Sequence, residues 1–182
     1  MPIKNQTTIE QIILGLTADF RRYPDKYLTE SDVKCALVNR LMRSTEYGSL
    51  QNTEYGSKSI PVHSEVRWYG ASGRLKWRSD IVILDVSDLR VKDGILKLPS
   101  KGFGFNYPKA IIEIKLRRPN GESDNVFRVK IEKDISKLAE IRSEVTGNYF
   151  CALVAFDKKG SIENIETNEK VKLFYTNSKQ NA

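Results

Sequence analysis

The stretch Ala110-Ile111-Ile112-Glu113-Ile114-Lys115-Leu116 reads as a short strand, apolar except for charges at positions 113 and 115. Residues i and i+2 of a strand share a face, so Glu113 and Lys115 project side by side. Ile112, Ile114 and Leu116 then pack on the opposite side. Charge in the middle of an apolar strand is costly unless it is paired, hydrogen-bonded or bound to a metal. One strand earlier, Ser79-Asp80-Ile81-Val82-Ile83-Leu84-Asp85-Val86 repeats the theme, with Asp80 opening an aliphatic run broken only at Asp85.

An Asp, a strand, and then Glu-x-Lys on the next strand resembles the PD-(D/E)xK nuclease superfamily, with Asp80, Glu113 and Lys115 as the matching residues. The match departs at Ser79, where that family often has proline. The separation of Asp80 from Glu113 also exceeds a tight hairpin, and a sub-hairpin between Leu89 and Tyr107 would absorb the excess. The resemblance implies an α/β protein with a restriction-endonuclease-like αβββαβ core, a central mixed sheet flanked by helices, and here an extra N-terminal helix. It covers roughly residues 29–156 of a single domain spanning 1–182.

The elements predicted along the chain follow that order. Ile9, Ile12, Ile13, Leu16 and Phe20 recur at helical spacing over Thr8–Tyr23, with Thr8 and Gln11 suited to a capping box. A second helix opens at Thr29-Glu30-Ser31-Asp32, where Thr29 or Ser31 serves as N-cap and the acids complement the helix dipole. Glu30 has two readings of equal weight. It either complements the dipole or, by the resemblance, reaches the metal site as glutamates at this helix start do in several of these nucleases. Residues 45–59 read as a polar loop or flap. Strands follow at Ile60–Tyr69, where His63, the sole histidine, takes no catalytic role, and at Ser79–Val86. Glu65 could join the acidic cluster or form a cross-strand ion pair.

Beyond Glu113-x-Lys115, a basic turn Arg117-Arg118-Pro119-Asn120-Gly121 leads to a long helix from Ser123 or Asp124 to Val145. Residues 147–156 are almost continuously apolar, as suits a central or parallel strand. A polar stretch at 161–170 with room for a short helix, an edge strand over 171–176 and a frayed tail at 177–182 complete the chain.

Composition bounds the function. An apolar share of 40% beside 29% charged residues is that of a globular protein with a real core. No run has the length of a membrane span and no signal pattern opens the chain, so a cytoplasmic protein without membrane contact is expected. Cys35 and Cys151 lack metal-ligand spacing and read as small buried hydrophobes. There is no Walker-type glycine-lysine loop, which argues against a nucleotide cofactor. A net charge of +7, from 30 Lys and Arg against 23 Asp and Glu, favours a polyanionic partner.

Basic residues flank both acidic strands: Arg74, Lys76 and Arg78 before Asp80, and Arg117, Arg118 and Lys133 after Glu113. Each is a candidate phosphate contact or a solvated surface charge. The resemblance implies DNA as substrate and Mg²⁺, with Mn²⁺ as substitute, as cofactor. The ligands would be Asp80, Glu113, the carbonyl of Ile114 and, if it reaches, Glu30. Lys115 would act beside the attacking water. The expected activity is therefore a deoxyribonuclease, endonuclease before exonuclease, in restriction, repair or recombination, and a homodimer would let it cut both strands. Other readings stay open: a structural ion network, a non-catalytic nucleic-acid-binding subunit that keeps the fold, and a partner within a larger defence or repair assembly.

Overall fold

The computed structural model describes residues 4–54, 56–69, 72, 74–89, 91–92, 95–96, 108–145, 147–160 and 162–179. Helix α1 (Lys4–Arg22) buries Ile9, Ile13, Leu16 and Phe20, the stripe its spacing predicts. It begins before Thr8, so the capping box anticipated there does not form. Helix α2 (Glu30–Met42) starts from Thr29, whose hydroxyl accepts from Asp32 N–H while the Asp32 carboxylate accepts from Thr29 N–H. This reciprocal cap fixes Glu30 as the first helical residue.

The segment read as a loop or flap carries more order than its polarity suggests. A one-turn helix α3 (Thr45–Gly48) precedes the two-residue strands β1 (Gln51–Asn52) and β2 (Lys58–Ser59), which pair with each other. The long strands are β3 (Val62–Tyr69), β4 (Leu75–Leu84), β7 (Pro108–Arg117), β8 (Phe150–Asp157) and β9 (Lys172–Asn177). Between β4 and β7 lies a small antiparallel hairpin, β5 (Val91–Lys92) and β6 (Ile95–Leu96), at the place where the sequence needs one. Helix α4 (Asp124–Glu144) is capped by the Ser123 side chain, one of the two starts predicted. No helix forms among the described residues of 161–170.

The five long strands form one mixed sheet in the order β3-β4-β7-β8-β9, antiparallel as far as β7 and parallel beyond it. The chain is thus an α/β protein with helices on both sheet faces. Ile81, Ile83, Ile112, Ile114, Val154 and Phe156 pack against α1 and α2. Val82, Leu84, Ile111, Leu153 and Ala155 pack against Phe127, Ile131, Ile135, Leu138 and Ile141 of α4. β8 is buried along its whole length, which explains its unbroken apolar sequence.

Among the described residues no helix is long and apolar enough to cross a membrane. Cys151 is buried as expected, but Cys35 lies exposed on α2, and both thiols are free.

Candidate active site

The ladder between β4 and β7 runs from Leu84 and Pro108 to Ile81 and Ile112, then stops. From there β4 continues beside β3 alone, and β7 beside β8 alone. The strands fork at the position where the register sets Asp80 opposite Glu113. Backbone groups freed by such a fork need new partners, and acidic side chains supply them. Asp80 Oδ2 accepts from Ile114 N–H at 2.9 Å, and Glu30 Oε1 accepts from Leu116 N–H at 3.3 Å.

Glu113 lies inside the fork and is 2% exposed. Its Oε2 pairs with Lys137 Nζ of α4 at 2.7 Å, while its Oε1 is buried without a hydrogen-bond partner among the described residues. Burial raises the Glu113 carboxyl to about 7; the Lys137 charge opposes this, and the nearby Asp80 and Asp134 charges add to it. An unpartnered carboxylate oxygen in the interior is expensive. The Asp80 carboxylate beside it makes the site more so.

Lys115 shares the α4-facing side of β7, as strand periodicity requires. Its ammonium lies 2.8 Å from Asp134 Oδ2, an ion pair rather than an aligned hydrogen bond, and donates to the Ile114 carbonyl at 3.2 Å. Burial alone would lower its proton affinity, but Asp134 first, then Glu30 and Asp80, hold it above the ordinary lysine value. These acids therefore favour the charged form of Lys115.

Asp134 and Lys137 stand one turn apart on α4 and pair crosswise with the lysine and the acid of β7. Lys137 Nζ also lies 3.6 Å from Asp134 Oδ1 and donates to the Arg78 carbonyl at 3.3 Å. One sequence feature could have exposed Asp134: it interrupts the apolar stripe Ile131, Ile135, Leu138 of α4, so a helical wheel places an acid on the buried face.

Asp80, Glu113, Lys115 and the Ile114 backbone come together at the fork, and Glu30 reaches its Lys115 side. Glu30 spends an oxygen on the Leu116 amide. Among the described residues no group of three or more His, Cys, Asp or Glu side chains is arranged to hold a metal ion. A smaller set remains. Mg²⁺ takes hard oxygens and keeps several of its waters. Asp80 Oδ1, Glu113 Oε1 and the Ile114 carbonyl, whose second lone pair is open, suit it, and the unpartnered Glu113 oxygen is the observation that fits.

Glu65 lies in the same row, facing Asp80 across the skipped position of the β3–β4 ladder. Its backbone is left-handed, φ 57°, a costly conformation for glutamate. The side chain bonds Lys34 and lies 3.0 Å from Arg78 Nε, and Lys34 sits 3.8 Å from Asp80 Oδ1. Lys34 above all, opposed by burial and aided by Arg78, holds the Glu65 carboxyl below its ordinary value. The cross-strand ion pair expected of Glu65 thus forms, with Arg78 of β4.

The flanking cations divide into two groups. Arg74 and Lys133 are exposed, and Arg118 lines a cavity of about 490 Å³ with Glu30, Ser31, Leu116, Asn120 and Lys130. The others correct the expectation of free basic turns. Lys76 and Arg78 belong to β4 and bind acids: Lys76 pairs with Glu140 at 2.7 Å and Glu144 at 2.5 Å, and Arg78 pairs with Glu65. Arg117 is fully buried, with Nε 2.8 Å from Asp157 Oδ1, Nη2 2.5 Å from Asp157 Oδ2 and Nη1 2.5 Å from Asp124. It ties the ends of β7 and β8 to the start of α4 and offers nothing to a ligand. Lys97 and Lys101, in the lysine-bearing segment before β7, lie outside the described residues.

Comparison with protein-family models, curated proteins and solved structures yields no match.

Proposed function

We propose that the chain is a metal-dependent nuclease of the PD-(D/E)xK, restriction-endonuclease-like kind that hydrolyses phosphodiester bonds of DNA. The observation that carries this reading is the fork itself, where two acids from adjacent strands face each other beside a lysine and one buried carboxylate oxygen has no partner among the described residues. The succession α2, β3, β4, β7, α4, β8 agrees with the αβββαβ order of that superfamily.

Asp80, Glu113 and the Ile114 carbonyl would hold Mg²⁺ or Mn²⁺, and Glu30 stays on the Leu116 amide. A bound ion of this kind neutralises charge at phosphorus, activates water and stabilises the leaving oxygen. The protein's own groups set the stage. Ile114 N–H and Lys137 each hold one oxygen of a carboxylate, which would leave Asp80 Oδ1 and Glu113 Oε1 for an ion. Lys115 keeps its proton and presents fixed positive charge to the phosphate. Of the flanking cations, the exposed Arg74, Arg118 and Lys133 would meet the DNA backbone. DNA in preference to RNA, and internal in preference to terminal cutting, rest on the resemblance.

A second reading has its own support. The crossed pairs of Glu113 with Lys137 and of Lys115 with Asp134 are what a purely structural ion network looks like, and a non-catalytic nucleic-acid-binding subunit could keep them. Incubating the protein with plasmid DNA and Mg²⁺ beside Lys115→Ala separates the two. Cleavage lost in the variant supports the nuclease. Binding without cleavage by the native chain supports the subunit.

A further inference from the structure

Each acid at the fork carries a lysine from a different helix: Lys137 of α4 on Glu113 at 2.7 Å, and Lys34 of α2 near Asp80 at 3.8 Å. The two lysines are not equivalent. Lys34 is engaged chiefly by Glu65. Lys137 is fixed from three sides, by Glu113 Oε2, the Arg78 carbonyl and Asp134 Oδ1. The Arg78 carbonyl accepts a hydrogen bond from its ammonium and the two carboxylates pair with its charge, which is thereby held against the carboxylate whose other oxygen has no partner among the described residues.

We propose that Lys137 is the residue that sets the strength of divalent-ion binding at this site, acting as a built-in counter-ion that shares Glu113 with the metal. The inference rests on the metal-site reading above and adds a residue that is not itself a ligand. A divalent ion on Glu113 Oε1 and an ammonium on Oε2 repel through one carboxylate in a poorly solvated fork, where charge interactions are only partly screened. The lysine orients Glu113 with Oε1 free and at the same time lowers the affinity of that oxygen for cations. Asp134 offsets part of this, because it pairs with Lys137 and Lys115 together.

Calorimetric titration with MnCl₂ at about pH 8 tests this on the native chain, Lys137→Gln, Lys137→Arg and Lys34→Gln. Glutamine keeps a hydrogen-bond donor toward Glu113 and removes the charge; arginine keeps the charge. Lys137→Gln is expected to bind Mn²⁺ at least about tenfold more tightly, with Lys137→Arg within about twofold of native and Lys34→Gln gaining less than Lys137→Gln. Binding by Lys137→Gln alone supports the proposal too. Native-like or weaker binding by Lys137→Gln, with the native chain binding, overturns it and leaves the metal site standing. No binding by any of the four removes the metal site and the inference together. If circular dichroism shows Lys137→Gln unfolded, Lys137→Met, which removes the charge and keeps the length of the side chain, decides: tighter Mn²⁺ binding supports the proposal, and unchanged or weaker binding overturns it.

Discussion

Glu113→Gln should make the protein more stable at alkaline pH, although it removes a buried ion pair. Burial raises the Glu113 carboxyl from 4.5 to about 7 despite the attraction of Lys137, so ionised Glu113 burdens the fold. At about 1.4 kcal/mol per tenfold change in proton affinity, that rise is worth about 3 kcal/mol. The sign follows from which state binds the proton more tightly. Below 4.5 both folded and unfolded chains hold it, and the neutral acid costs the fold nothing extra. Between 4.5 and about 7 the unfolded chain has lost the proton and the folded one has not, so stability declines through that window and levels off above it. Glutamine is neutral throughout and escapes the decline.

The assay is thermal denaturation in EDTA over the range from about pH 4.5 to about pH 8. At the acid end native and variant should melt together. At the alkaline end the variant should melt about 6–12 °C higher, taking about 2–4 °C per kcal/mol for a domain of this size. A difference that does not change with pH, or a variant less stable at about pH 8, would refute the reasoning, for it would mean that Lys137 compensates Glu113 fully.

Two further outcomes follow from the same geometry. Arg117→Met leaves the Asp157 carboxylate buried without its guanidinium and should cost about 3–5 kcal/mol in denaturant titrations; a loss under about 1 kcal/mol would show that Tyr175 and the Lys159 and Gly160 amides satisfy Asp157 alone. Mg²⁺ at about ten times its Kd should stabilise the native chain by about 1.4 kcal/mol, visible as a rise in melting temperature. Asp80→Ala should abolish that rise, and its persistence would take the ion away from the fork.

Local rules made much of this arrangement legible in the sequence. Period-two spacing put Glu113 and Lys115 on one face, the Thr29 and Ser123 caps placed the starts of α2 and α4, and the unbroken apolar run of β8 marked a strand covered on both sides. Pairing across the sheet was not legible. Arg117 sits in a run of polar and basic residues that reads as an exposed turn, and its burial is explained by Asp157, on a neighbouring strand 40 positions away, together with Asp124 of α4. Lys76 and Arg78 likewise read as turn residues because their acids, Glu140, Glu144 and Glu65, come from α4 and β3. The fork depends on where one ladder stops while its neighbours continue, and the left-handed backbone of Glu65 depends on that skipped position. Neither leaves a mark in the order of residue types. Asp134 did leave one, as an acid in the apolar stripe of α4.

The pairing of Asp80 with Glu113 around one divalent ion is tested most directly by crystals soaked in Mn²⁺ and measured for anomalous scattering. A single peak is expected, bound by Asp80 Oδ1, Glu113 Oε1 and the Ile114 carbonyl, with Lys137 still on the other Glu113 oxygen. Full occupancy elsewhere on the surface with none at the fork would contradict it.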